Sequence, residues 1–210
     1  VTPYRAFRGR GWIDLPEWVR AKKAVVNIKN TDAQCFLYAL TLATNFNTIT
    51  AHRDRPKNYE AFFDKLKMED VEYPVSADQI PGIEASNTLS INVFGLNLET
   101  AKGPSDIVPE YRASTAFGTP INLLRIYNEE DCHYCYITNM DGLLREGTTE
   151  KNFCSLCWQT FSDKAILAEH TAKGKCTESS DEALRELPSK DKAFVRFTQI
   201  EKQLRVPFAV

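Results

Sequence analysis

Asn30-Thr-Asp-Ala-Gln-Cys-Phe-Leu-Tyr-Ala-Leu-Thr-Leu-Ala43 decides how the rest of the chain is read. Polar turn-formers lead to a cysteine, and the cysteine opens an apolar run. Phe36, Leu37, Ala39, Leu40, Leu42 and Ala43 are too densely apolar for a surface helix. They predict a helix buried around most of its circumference. Asn30, Thr31 and Asp32 are good cap and turn residues ahead of it. Cys35 then falls in the first helical turn, where the helix dipole and free N–H groups favour a thiolate. Cysteine is also among the most buried residue types, so taken alone the stretch reads as an inert core element.

Working outward, Ala24–Ile28 is a short strand candidate that leads into the Cys35 turn. Tyr59–Met68, with apolar residues at 59, 62, 63, 66 and 68, predicts an amphipathic helix. One helical turn is expected near Ile80–Ala85. Leu89–Phe94 alternates like a half-buried strand that stops at Gly95, Ile107–Ala113 is a weaker strand, and Ile121–Tyr127 is a strong one. Asn128-Glu-Glu-Asp131 reads as a hairpin turn and His133–Ile137 as the return strand. A helical first third followed by a mostly antiparallel sheet is an α+β layout.

At 210 residues the chain is long enough for one core of its own, residues 1–150, with a small appendage at 151–177 and a linker at 178–210. Thr177–Lys192 is charged and contains Pro188, as a linker should. A net charge of −2 gives no bulk electrostatic case for nucleic acid. The N-terminal twenty residues are locally basic and aromatic, but the run is short, and a packed arm is the better reading than an RNA-binding one. No stretch has the length of a membrane span, and a monomer is expected. Three of the six cysteines, with one histidine, fall at metal-ligand spacing rather than in a disulfide framework, which suggests an intracellular compartment, cytoplasm or nucleus. Both ends read as cut from something longer.

A nucleophilic cysteine needs a base, an acid that orients the base, and oxyanion donors. Asp131 and His133 are two apart, so on a strand both side chains lie on one face with Cα atoms roughly 6–7 Å apart. Asp131 is the preferred orienter, with Asn139 as the alternative if the strand turns early. Asn30 can donate to an oxyanion beside the Cys35 backbone N–H, and Gln34 competes for that role. His52 sits in a polar loop beside Arg53 and Arg55 and reads as exposed.

Cys154-x2-Cys157, then Phe161, Leu167, His170 and Cys176, have the spacing of a ββα zinc finger with cysteine as the last ligand. A structural Zn²⁺ is expected there. Asp163, Ile166 and Glu169 occupy the positions that read bases in DNA-binding fingers, and none is Arg, Asn or Gln. A structural or protein-binding finger, with at most weak DNA contact, follows.

Asn30-x4-Cys35-Phe-Leu-x-Ala-Leu resembles the Cys box of ubiquitin-specific proteases, and His133-Tyr-x-x-Ile137 resembles their His box. The order Cys, Asp-x-His is similar to the herpesvirus large-tegument deubiquitinases and their viral-tegument-like relatives. That resemblance implies a papain-like fold, with Cys35 as nucleophile, His133 as base, Asp131 as orienter and Asn30 or Gln34 as oxyanion donor. The implied activity is a cysteine deubiquitinase, a thiol protease acting after the C-terminal glycine of ubiquitin or a ubiquitin-like protein. End to end, the chain also resembles the region before the exonuclease domain of family B DNA polymerases from Polinton/Maverick-type transposons and related viruses. Ala24-Val-Val-Asn-Ile-Lys-Asn30, Ile91-Asn-Val-Phe-Gly95, Ile121-Asn-Leu-Leu124 and Gln203-Leu-Arg-Val-Pro-Phe208 carry that likeness. It implies a second possibility, a non-catalytic accessory module that binds DNA or a protein through its finger.

Overall fold

In a computed structural model, which describes residues 11–114 and 117–173, the run from Cys35 is a helix, as expected. Eight side chains of α2 (Cys35–Thr44) are buried, from Cys35 to Leu42. The turn before it is knotted by Asp32. Its Oδ1 accepts from the Gln34 N–H at 2.9 Å and from the Asn30 amide at 3.0 Å. The Asn30 amide also donates to the Asp32 carbonyl at 2.8 Å. At the far end the Asn45 N–H donates to the Thr41 and Leu42 carbonyls, and the helix stops.

α2 lies on a five-stranded sheet of order β1 (Val25–Val26), β5 (Cys132–Ile137), β4 (Ile121–Tyr127), β2 (Ile91–Asn97), β3 (Val108–Tyr111). All neighbours are antiparallel except β2 and β4, which run parallel. The hairpin between β4 and β5 forms as expected: Asn128 N–H donates to the Asp131 carbonyl, and the Asn128 side chain accepts from the Glu130 and Asp131 N–H groups.

Both sheet faces are covered. On one, Ile91, Val93, Leu123 and Tyr134 pack against α2 and against α3 (Ile80–Asn87). On the other, Phe94, Leu96, Leu124, Ile126, Cys135 and Ile137 pack against α1 (Glu17–Lys22) and α4 (Met140–Leu144). Glu84 of α3 is fully buried and holds the β2 and β3 ends together. It accepts from the Ile91 N–H at 2.6 Å, the Tyr111 hydroxyl at 2.8 Å, and the N–H and hydroxyl of Ser114.

Two expectations change. The Tyr59–Met68 region is not an α-helix but two tighter 3₁₀ turns, Pro56–Asn58 and Glu60–Lys65. Three residues per turn stack Tyr59 over Phe62 and Phe63 over Leu66, so both aromatic rows reach the α2 side of the core. The β2 strand runs through Gly95 rather than stopping there. A Cβ at 95 would run into the Glu110 carboxylate of β3, which grips Arg125 of β4 at 2.6 and 2.7 Å. Glycine here makes room for an ion pair laid across the strand.

After α4 the chain forms a hairpin, β6 (Asn152–Phe153) with β7 (Thr160–Phe161), and then α5 (Lys164–Ala172). Among the described residues no helix is long and apolar enough to cross a membrane.

Candidate functional site

Cys35 is the first residue of α2 and only 2% exposed. Burial pushes its thiol up to about 12, opposed in part by a hydrogen bond from the backbone of Tyr134 in β5. The helix N-terminus, which the sequence offers as an activator, is outweighed by the loss of water.

His133 lies one residue before Tyr134, and on a strand that single step reverses the side chain. The pairing of β5 with β4 is unbroken from Cys132 to Tyr136. Cys132, Tyr134 and Tyr136 therefore share the α2 face, and His133 shares the opposite face with Cys135 and Ile137. The structure does not bring Cys35 and His133 together. The imidazole is fully buried, and neither ring nitrogen has a hydrogen-bond partner among the described residues. Burial alone lowers its pKa to about 4. A neutral thiol and a neutral imidazole on two sides of a sheet form no thiolate–imidazolium pair.

The supporting residues are also committed elsewhere. Asp131 belongs to the β4–β5 turn, through its N–H and carbonyl to Asn128, and does not orient His133. Asn139 caps α4 by accepting the Gly142 N–H at 2.9 Å, so it does not serve as the alternative orienter. The Asn30 amide spends its donors on Asp32, which removes it from any oxyanion. Gln34 occupies the N-cap of α2 with its side chain half-buried. His52 is exposed, as expected, with a left-handed backbone.

The second constellation does assemble. Cys154, Cys157 and His170 bring their ligand atoms within 4.8 Å of one another and could hold a metal ion. Cys157 Sγ lies 3.1 Å from His170 Nε2. The β6–β7 turn presents the two sulfurs: Trp158 N–H donates to the Cys154 carbonyl and Cys154 N–H to Gln159. The Phe161 ring lies tilted against the His170 ring, 4.7 Å between centroids. Asp163 caps α5 by accepting the Ala165 N–H at 2.6 Å, which aims His170 back at the turn. Cys176, the expected fourth ligand, lies outside the described residues, as do the 178–210 linker and the first ten residues.

Ligand spacing carries no sign that this unit is bonded into the larger core. Phe153 N–H donates to Asp141 at 2.7 Å, Asn92 of β2 donates to the Ser155 carbonyl at 3.1 Å, and Arg112 donates to the Leu156 carbonyl. Phe94 touches the rings of both Phe153 and Trp158. No family model matches the chain, and no curated protein or solved structure is significantly similar to it.

Proposed function

We propose that the chain is a non-catalytic binding module in which Cys154, Cys157, His170 and Cys176 hold one structural zinc ion and α5 meets a protein partner. The observation that carries the reading is the convergence of three ligand side chains on a hairpin tied to the sheet. Tetrahedral zinc, with bonds of about 2.3 Å to sulfur and about 2.0 Å to nitrogen, holds its ligand atoms roughly 3.5–3.8 Å apart. A thiol–thiol–imidazole set within 4.8 Å needs only small shifts to reach that geometry, the Cys157 Sγ–His170 Nε2 pair opening slightly from 3.1 Å. Once bound, the ion supplies cross-linking and no chemistry, because a fourth protein ligand closes its shell.

α5 buries none of its residues, and its outward Asp163, Ile166 and Glu169 suit a basic, apolar protein surface better than nucleobases. The resemblance to the region preceding the exonuclease domain of transposon polymerases suits an accessory role of this kind. Metal analysis of native protein should find one zinc per chain. An absence of zinc would remove the reading.

A cysteine deubiquitinase of papain-like fold is the second reading. One observation favours it: Cys35 opens a buried helix packed on the sheet. Against it stand the burial of Cys35 and the placement of His133. Incubation with ubiquitin carrying a C-terminal thiol-reactive group separates the two. The first reading expects no adduct. A covalent adduct at Cys35, lost in Cys35→Ala, would establish the second reading and overturn the first.

A further inference from the structure

The residue directly after Cys157 has an unusual backbone. Trp158 has φ 66°, in the left-handed region that glycine enters freely and a large side chain enters only under strain. The turn depends on this conformation. It reverses the chain so that Trp158 N–H donates to the Cys154 carbonyl at 2.8 Å while Cys154 N–H donates to the Gln159 carbonyl at 2.9 Å. These two bonds close the loop that carries both sulfurs. Glycine is the residue such a backbone favours, and the chain has tryptophan there.

The indole supplies what offsets the strain. Its ring lies 5.3 Å from the ring of Phe94 in β2, tilted at 53°. The Arg112 guanidinium, from the segment after β3, stands 5.8 Å from the indole centroid and also donates to the Leu156 carbonyl of the same turn. The side chain is half-buried against the sheet face that holds Phe94, Leu124 and Ile126. Its Nε1 is buried without a hydrogen-bond partner among the described residues, so the ring acts through its surface and not through its N–H.

We propose that Trp158 is a positioning residue for the metal site: its indole, docked on β2, holds the Cys154–Cys157 turn in the ligating conformation before an ion arrives, so that the sheet sets the affinity for the ion. The inference rests on the zinc reading of Cys154, Cys157, His170 and Cys176. A turn held in advance loses less conformational freedom when it binds, which tightens binding without adding a ligand. The effect is reciprocal: the ion strengthens the docking of the turn by the same factor as the docking strengthens the ion. A self-contained finger lacks this dependence, because its ordering comes from its own ligands and the ion alone.

The test uses the full chain. Zinc affinity is read by competition with a chromogenic chelator, and Co²⁺ substitution gives a spectroscopic check on the ligand set. Trp158→Ala keeps the left-handed strain and loses the ring, and should weaken zinc binding by about tenfold or more. Trp158→Phe keeps a ring for Phe94 and removes only an unpartnered N–H, so it should restore most of the affinity. Trp158→Gly relieves the backbone while losing the ring, and should fall between the parent and Trp158→Ala. Arg112→Ala changes an exposed side chain that is not a ligand, and should weaken zinc binding by about threefold. It asks the same question from the core side if Trp158→Ala fails to fold. At saturation the thiolate-to-Co²⁺ bands of all four variants should superimpose on the parent's. The inference is overturned if Trp158→Ala binds zinc like the parent or, should that variant not fold, if Arg112→Ala does. It is also overturned if Trp158→Phe is as weak as Trp158→Ala, if Trp158→Gly binds at least as tightly as the parent, or if the saturated Co²⁺ spectrum changes. Each of those results leaves the zinc reading standing. A parent chain that takes up no zinc removes that reading, and this inference with it.

Discussion

Replacing His133 with Leu should make the protein less sensitive to acid. In the fold the imidazole is sealed from water, lacks hydrogen-bond partners among the described residues, and has its pKa lowered from 6.5 to about 4 by burial. In the unfolded chain it titrates near 6.5. Between these values the unfolded state binds more protons than the folded one, so stability rises with pH across the window. The contribution is fully present above about pH 6.5 and is lost as pH falls toward 4. At about 1.36 kcal/mol per unit, the full span is on the order of 3 kcal/mol, a large part of a typical domain's 5–15 kcal/mol. Leu fills a similar volume and removes both unpartnered nitrogens, so it should also add about 1–2 kcal/mol at neutral pH. Urea unfolding of parent and variant, followed by tryptophan fluorescence from about pH 7.5 to 4.5, compares the two directly. With a urea slope of about 2 kcal/mol per molar, the midpoints should separate by roughly a further 1 M as pH falls. Parallel curves would refute the burial argument. The opposite trend would mean a raised pKa, the mark of an imidazole held by a carboxylate as a peptidase requires.

Chelation should abolish the helicity of α5, and because Phe94 loses ring contacts to Phe153 and Trp158, it should also lower the melting temperature of the sheet core. Unchanged core melting would show that the unit hangs free. Glu84→Ala should destabilise by about 2–3 kcal/mol in urea unfolding, because the buried Ile91 N–H and the part-buried Tyr111 and Ser114 donors lose their acceptor at once. Gly95→Ala should cost about 2–4 kcal/mol by displacing Glu110 from Arg125, and pairing it with Glu110→Ala should recover part of that loss. Asn139→Ala should cost about 1 kcal/mol, the usual value of a helix cap, read as a small fall in melting temperature.

The elements that were legible in the sequence carry an unambiguous pattern. α2 is too apolar to be anything but buried, the Asn128–Asp131 turn announces itself by composition, and the Cys154–Cys157–His170 cluster is written in ligand spacing. Strand direction is not encoded in periodicity, so the parallel pairing of β2 with β4 could not be seen. The placement of His133 on the face away from α2 has a similar origin. Alternation tells correctly that Asp131 and His133 share a parity, but it names the inner face only when one face is polar. In β5 both sets, Cys132, Tyr134 and Tyr136 against Cys135 and Ile137, are apolar because both faces are covered. Nothing local then says which set meets α2. Likewise Asn30 and Asn139 looked available because their local hydrogen bonds, one to Asp32 and one to Gly142, form only once the turns close.

The bonds from Asn92, Asp141 and Arg112 into the Cys154–Cys157 turn bear on how this chain can change over evolutionary time. Small metal-bound hairpins commonly travel between proteins as self-contained cassettes, since their ligands carry most of what they need to fold. Here three polar anchors and the ring of Phe94 are scattered over β2, α4 and the segment after β3. A transplanted copy would leave those partners behind, and a foreign replacement would have to meet each of them. Exchange by recombination near residue 150 is thus penalised on both sides of the junction. The hairpin should drift in step with Phe94, Asn92 and Asp141 rather than be swapped.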